Sequence, residues 1–316
     1  MEWIEVVDEF PQSADAMVLC VGQFDGMHIG HQGLLDIAKQ YITDEILTVL
    51  RFSQQMDRPV QGGEATQSLL TPRAEQERLF NQFGVNRLYE VSDVGACTKQ
   101  SAAALFAEQL TRLNIKRLVV SEGTSFAHDV DITVQTLVDL CAKLDVPITV
   151  VPQAKVNGRL VTSACIREHL QAGRVEAAQA LLGRPYQITG TIVHGAALGR
   201  QLGFPTANFD DVDEYVMVAP GIYVSLVEIH GVNGQKSEYW YALTNAGYRP
   251  TVNGQSYLIE AYLLDFTGDL YDKRLSVSFL HRLRDEIKFV GLDPLIEQMH
   301  KDTAMAKARL GIEGHA

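Results

Sequence analysis

Two different spacings of apolar residues divide the chain. From Met17 to about Leu182, short apolar runs alternate with stretches in which apolar residues recur at helical spacing. Residues 16–21, 45–50, 87–91, 116–120 and 146–151 are predicted strands. Residues 72–83, 101–113 and 134–144 are predicted helices, as is the stretch 32–39, where Leu34, Leu35 and Ala38 share a face. Thr71 is placed to cap the helix after it, with Pro72 at its first position. Such alternation predicts an α/β domain with a doubly wound, Rossmann-like parallel sheet, on which ligands bind beyond the carboxyl ends of the strands.

After Gly183-Arg-Pro-Tyr the spacing shortens to runs of strand length. These runs cover 187–194, 223–230, 238–244, 257–264 and 275–280, and Asn233-Gly234 and Asn253-Gly254 punctuate them as turns. A small antiparallel β-barrel is the economical arrangement, with residues 294–310 as a C-terminal helix. The predicted organisation is therefore α/β plus β, with domains at 1–184 and 185–316.

Composition narrows the function classes. Of 316 residues, 46% are hydrophobic and 21% charged, which is enough to fill two ordinary cores. A net charge of −12 argues against broad binding to nucleic acid or to an anionic membrane, while leaving room for local basic pockets. No apolar run has the length of a transmembrane helix, and the acidic first ten residues lack a signal-peptide pattern. Cys20, Cys97, Cys141 and Cys165 are widely spaced, as free thiols in a reducing compartment would be. The expectation is a cytoplasmic protein with small-molecule partners.

Candidate chemistry is concentrated in two segments. The first, Gly22-Gln-Phe-Asp-Gly-Met-His-Ile-Gly-His31, joins a predicted strand to a predicted helix. Free N–H groups and the helix dipole at such a turn favour a phosphate. His28 and His31, three apart across Gly30, can both face that anion and stabilise charge in an in-line displacement. This is the H-x-G-H arrangement of nucleotidyltransferases.

The second segment runs from Gly195 to Phe209. Gly195, Gly199 and Gly203 allow the close backbone approach that a phosphate cradle needs. Thr206 and Asn208, two apart in extended chain, present oxygens to one side, a donor type suited to Mg²⁺ bridging nucleotide phosphates. Glu260, at the end of Tyr-Leu-Ile-Glu, could serve as a general base or lie on a solvated face.

Together the two segments resemble the prokaryotic bifunctional riboflavin kinase/FMN adenylyltransferase (FAD synthetase) family, over nearly the whole chain and in the family's order. The resemblance implies that Thr206 and Asn208 in Gly-Phe-Pro-Thr-Ala-Asn are metal and phosphate ligands. It makes Glu260 the catalytic carboxylate, acting on the ribityl 5′-hydroxyl. It also places Asn245 and Arg249 (in Asn-Ala-Gly-Tyr-Arg-Pro-Thr) and Arg284 (in Arg-Leu-Arg-Asp-Glu-Ile-Lys-Phe) on the flavin side. In the first domain the family motif is kept at Gly22, Phe24, Asp25, Gly30 and the two histidines, with Gln23 in place of the usual Asn. Ser163 and Arg167 belong to the matching phosphate motif. ATP, riboflavin and FMN are the implied substrates, with Mg²⁺.

Three loops of the first domain depart from the family. Arg51-Phe52-Ser-Gln-Gln-Met56 lacks the usual prolines and histidine, Ser121–Ala127 replaces an Asp-Phe pattern, and Ala164 stands where a hydroxyl is usual. The leading expectation is both activities. The runner-up is a riboflavin kinase with a silent adenylyltransferase domain, and a third reading is a non-catalytic flavin-binding regulator.

Overall fold

The computed structural model describes residues 1–7, 9–52, 68–91, 110–124, 133–195, 202–231, 235–251 and 254–312. They form two compact units, Met1–Ser163 and Ala164–Ala316.

The first unit is built on six strands: β1 (Glu2–Val6), β2 (Ser13–Val21), β3 (Ile46–Phe52), β4 (Arg87–Val91), β5 (Leu113–Ser121) and β6 (Ile148–Val151). Their order is β1-β4-β3-β2-β5-β6, and every pairing is parallel. Helices α1 (Ile29–Lys39) and α2 (Arg73–Gln82) contribute Leu34, Leu35, Leu79 and Phe80 to a core on one face, with Val18, Cys20, Leu47 and Val49. Helix α3 (Val134–Lys143) puts Leu137 and Leu140 into a second core on the other face, against Leu19, Val21 and Leu50. Strands buried on both faces read as continuous apolar runs, which explains why 16–21 and 45–50 were legible. The strand order reverses at β2, which pairs with β3 on one side and β5 on the other. The turn that follows β2 therefore opens at the switch point of the sheet. A small hairpin, β7 (Lys155–Val156) and β8 (Arg159–Leu160), turns on Asn157 and Gly158, both at positive φ.

Several expectations change. β1 was not foreseen, since its alternation is weak and it lies at the sheet edge. Thr71 does not cap α2: Pro72 holds the cap position without a side-chain bond. The Thr71 hydroxyl accepts a hydrogen bond from Gly26 N at 2.8 Å instead, because the buried Asp25 carboxylate draws residues 70–71 onto the turn after β2. The helix expected over 101–113 lies mostly outside the described residues, and its last residue, Leu113, opens β5.

In the second unit, helices α4 (Ser163–Gln171) and α5 (Val175–Leu182) precede the barrel strands. These are β9 (Tyr186–Val193), β10 (Ala207–Asp210), β11 (Gly221–Ile229), β12 (Glu238–Thr251), β13 (Gly254–Leu263) and β14 (Arg274–Arg284). They close antiparallel in the order β10-β13-β12-β11-β14-β9. Helix α6 (Leu292–Leu310) lays Ala306 and Leu310 against Val224, Leu243 and Leu283 on the outside of the barrel. The compact unit begins ahead of the change in spacing because α5 packs on β14 and β9, with His281 Nδ1 at 3.1 Å from Glu176 Oε1. The segment between β10 and β11 is fastened by three tyrosine hydroxyls. Tyr186, Tyr257 and Tyr223 donate to the carbonyls of Val216, Val218 and Ala219. Burial pushes the Tyr223 hydroxyl up to about 12 and that of Tyr257 higher still, so both remain donors at neutral pH.

Barrel closure needs a bare backbone at Gly190, where a Cβ would stand 2.4 Å from the Asp210 carbonyl oxygen. Gly190→Ala is expected to destabilise the barrel by about 1–3 kcal/mol through overpacking. Urea unfolding of the full chain followed by tyrosine and tryptophan fluorescence measures it, and an unchanged midpoint would show that β9 and β10 have slack.

Candidate active sites

In the first unit the turn after β2 is built under backbone strain. Phe24 and Met27 sit at φ +58° and +41°, and both are fully buried. Asp25 secures the turn, accepting from Leu70 N at 3.0 Å and Thr71 N at 3.1 Å, while its carbonyl accepts from Ser163 Oγ at 2.8 Å. Gly22 leaves room for the Phe24 ring, which would lie 3.2 Å from a Cβ there. His28 caps α1, its Nδ1 accepting from His31 N at 3.3 Å. A neutral His28 therefore carries its proton on Nε2. The two imidazoles stack with centroids 3.6 Å apart and planes 14° from parallel, and the Phe24 ring lies 5.0 Å from that of His31. A Cβ at Gly30 would stand 3.1 Å from the His28 ring, so this glycine is what permits the stack.

The structure thus brings together Gly22, Phe24, Asp25, His28, Gly30, His31 and Ser163. Arg167 stands half-buried on α4, in the second unit. Of the departing loops, residues 53–67 and 125–132 lie outside the described residues. Arg51 is accounted for elsewhere: it is buried, pairs with Glu90 and Gln76, and stacks 4.9 Å over the Trp3 ring.

In the second unit the antiparallel register sets five side chains in one row across five strands. Asn208 on β10 faces Glu260 on β13, Glu260 faces Asn245 on β12, Asn245 faces Ile222 on β11, and Ile222 faces Arg284 on β14. All five line a cavity of about 360 Å³ on the outside of the barrel, roofed by Leu295 and Met299 of α6. The row begins at Asn208 and Glu260, with Thr206 beside them and Leu202 and Phe204 from the same segment, and it ends at Arg284, after which Ile287 and Phe289 join the two roof residues as apolar lining. Tyr262 joins the lining, its hydroxyl kept protonated by burial and by nearby Asp265. Asn245 Oδ1 is buried and accepts no hydrogen bond from any described residue. A buried acceptor in that condition implies a donor from a ligand or water.

Asn208 is oriented by its own chain, its Nδ2 lying 3.4 Å from the Thr206 carbonyl, which leaves Oδ1 as the acceptor. A Cβ at Gly195 would stand 2.5 Å from that Oδ1, so the glycine at the end of β9 makes space for the amide. Gly203 adopts φ +86° in the turn before β10. Gly199 lies outside the described residues, as does the side chain of Arg249, whose backbone pairs with Ser256. No group of three or more His, Cys, Asp or Glu among the described residues could hold a metal by itself. Two neutral oxygens from Thr206 and Asn208 do suit a hard divalent cation that takes its other ligands from phosphate and water. Sequence reasoning missed the α6 contribution to this cavity. Its only signal was the spacing of Leu295, Met299 and Asp302 on one helical face.

Comparison with known proteins assigns a family model to each part of the chain. A riboflavin kinase family model matches residues 182–310, and an FAD synthetase model matches residues 10–165. Enzymes of these two kinds use ATP with a divalent metal. An FAD synthetase of Listeria monocytogenes is 34% identical over 66% of this chain and 80% of its own length. A solved structure from Streptococcus pneumoniae, named a macrolide-efflux protein, is 28% identical with a TM-score of 0.84, covering 97% of this chain and 99% of that one. Among the described residues no helix is long and apolar enough to cross a membrane. The bifunctional riboflavin kinase/FMN adenylyltransferase of Bacillus subtilis is 31% identical over 90% of both chains, and with both domain models matched in the same order this chain belongs to that family.

Proposed function

We propose that the chain is a transferase with two activities: it phosphorylates riboflavin to FMN and then adenylylates FMN to FAD, using ATP in both steps. The observation that carries the kinase reading is the row Asn208–Glu260–Asn245 lining one cavity, with Thr206 beside its start and the apolar lining of Ile287 and Phe289 beyond Arg284. A carboxylate between a phosphate end and a flat apolar end suits a kinase acting on an alcohol that carries a planar ring.

In the kinase step Glu260 takes the proton of the ribityl 5′-hydroxyl as that oxygen attacks the γ-phosphorus. The new O–P bond replaces the bond to the β-phosphate oxygen, and ADP leaves. Thr206 and Asn208 would hold Mg²⁺ with the ATP phosphates, where the ion neutralises charge on them. Gly195, Gly199 and Gly203 belong to the loop assigned to those phosphates. Asn245, Arg249 and Arg284 are assigned to the flavin side, and the Asn245 oxygen awaiting a donor supports that assignment.

In the adenylyl step a phosphate oxygen of FMN attacks the α-phosphorus of ATP, and pyrophosphate departs. His28 and His31 donate to the charge that builds on the transferred phosphate. Gly22, Phe24, Asp25 and Gly30 shape the turn that aims them, and Ser163 and Arg167 are assigned to the ATP phosphates. Residues 1–184 are assigned to this activity and 185–316 to the kinase. Thiols outside any disulfide at Cys20 and Cys141 accord with a cytoplasmic setting.

Chromatography of flavins after incubation with riboflavin, ATP and MgCl₂ tests both steps. The wild type should form FMN and then FAD; FMN alone, even when supplied directly under reducing conditions, would sink the second activity. Glu260→Gln is expected to slow FMN formation by about 10²–10⁴-fold while leaving FAD formation from supplied FMN intact. Full kinase turnover in that variant would remove Glu260 as the base. His31→Ala should show the reverse split, lowering FAD formation by about 10²–10³-fold with kinase turnover unchanged. Gly195→Ala should displace the Asn208 amide and lower kinase kcat/KM by about 100-fold, and wild-type kinetics would show that the amide has room to move.

A further inference from the structure

Arg284 ends the row, and its donors are taken up by protein groups, among them Asp302, which lines the same cavity. Its Nε donates to Asp302 Oδ1 at 2.9 Å and its Nη2 to Oδ2 at 2.5 Å, a two-pronged pairing. Its Nη1 donates to the carbonyl of Asp285 at 2.8 Å. Asp302, on α6, has only 4% of its side chain exposed and also accepts from Gln298 Nε2 at 2.9 Å.

We infer that Arg284 and Asp302 form a positioning pair that sets the width of the flavin slot by fixing two of its walls from one guanidinium. This rests on the kinase reading above. The first wall is the roof: Leu295 and Met299 lie seven and three residues before Asp302, on the same face of α6, so the height of Asp302 sets theirs. The second wall begins at Asp285, whose carbonyl is held by the same side chain and whose successors Ile287 and Phe289 line the apolar end.

Apolar packing under α6 is confined to a small cluster. The buried cluster beneath it consists of Val224, Leu243 and Ala306, bordered by Ile222, Leu283 and Leu310. That patch lies toward the C-terminal end of the helix; nearer the roof residues, α6 meets the barrel side through the Phe204–His300 ring contact, with centroids 5.1 Å apart, and through the pairing. A forked guanidinium–carboxylate pair fixes direction as well as distance, which greasy contact does not. The planar ring of a flavin is sensitive to slot width in a way that ATP phosphates at the other end of the row are not. Arg284 thus acts on the reaction through the walls it holds.

The test is steady-state kinetics of FMN formation by the full chain, with riboflavin and ATP varied separately. Asp302→Asn presents an amide NH₂ to the guanidinium and loses the second prong. It should raise the riboflavin KM by about tenfold or more, the scale of one charge-assisted hydrogen bond, with turnover and the ATP KM unchanged. Lys307→Met removes a different ion pair of the same helix, to the largely exposed Asp265, and should leave the riboflavin KM at its wild-type value. Equal changes in both KM values, or the same riboflavin effect in Lys307→Met, would reduce the pair to a general anchor and overturn the inference. If Asp302→Asn does not fold, Arg284→Met combined with Asp302→Leu restores packing between helix and barrel while still freeing the Asp285 carbonyl. That variant should also show a raised riboflavin KM, and a wild-type value would overturn the inference. A wild type that makes no FMN defeats the kinase reading and this inference with it. A wild type that makes FMN beside an Asp302→Asn enzyme with unaltered riboflavin KM defeats this inference alone.

Discussion

In a closed antiparallel barrel, no strand can slip by one residue without sending all its side chains to the opposite face, and closure removes the free edge that would tolerate a slip. The kinase half depends on this constraint. Asn208, Glu260, Asn245, Ile222 and Arg284 come from five different strands, and the common register makes them neighbours. The interior is filled independently of them by Tyr223, Val277 and Phe279, all fully buried, and by a hydroxyl pair, Ser225 and Thr244, 2.5 Å apart. The outward row is thereby free to be polar. An outward row is normally solvated; here α6 and the segment after β14 cover it, and the cover converts a polar stripe into a site.

The first unit solves a different problem, that of holding two imidazoles at the end of a strand. Two large residues at positive φ, Phe24 and Met27, cost on the order of 1–3 kcal/mol each. Offsetting this are the burial of both side chains and the bonds that Asp25 accepts from Leu70 and Thr71. The carboxylate in the middle of the motif thus serves the backbone, while the histidines at its end are left stacked at the start of the helix. Gly22 and Gly30 follow from the same geometry, since each leaves room for a ring that the turn must accommodate. Gly22, Phe24, Asp25 and Gly30 thus build the turn that sets the two imidazoles together.

The two spacings of apolar residues made the sheet and the barrel legible, because strands buried on both faces and strands buried on one leave different patterns. Residues 87–91 agree to the residue with β4. The misses have physical causes. β10 has four residues inside a segment read for its glycines, and its role, pairing with both β9 and β13, is a long-range property. β1 buries only Val6. Thr71 has the residue type and position of a cap, but a buried carboxylate 46 residues away competes for it and wins. Asp302 was invisible for a related reason: one acidic residue among several on a helix of mixed composition reads as solvated until its partner on β14 is known.

That last case shows what kind of information a motif carries. Glu260 and Asn208 lie in short segments whose chemistry can be read locally, since a carboxylate and an amide keep the same capabilities wherever they stand. Arg284 can be read locally only as a cation, and a cation near a flavin site invites assignment to the ligand. Its three nitrogens are instead divided between Asp302 and the Asp285 carbonyl. A buried ion pair of this kind adds little net stability over an apolar pair of similar volume. What it adds is a fixed distance between a helix and a strand, at the one place where a covered slot must match a rigid ring. The polarity of the pair makes sense as a constraint on geometry more than as a source of stability.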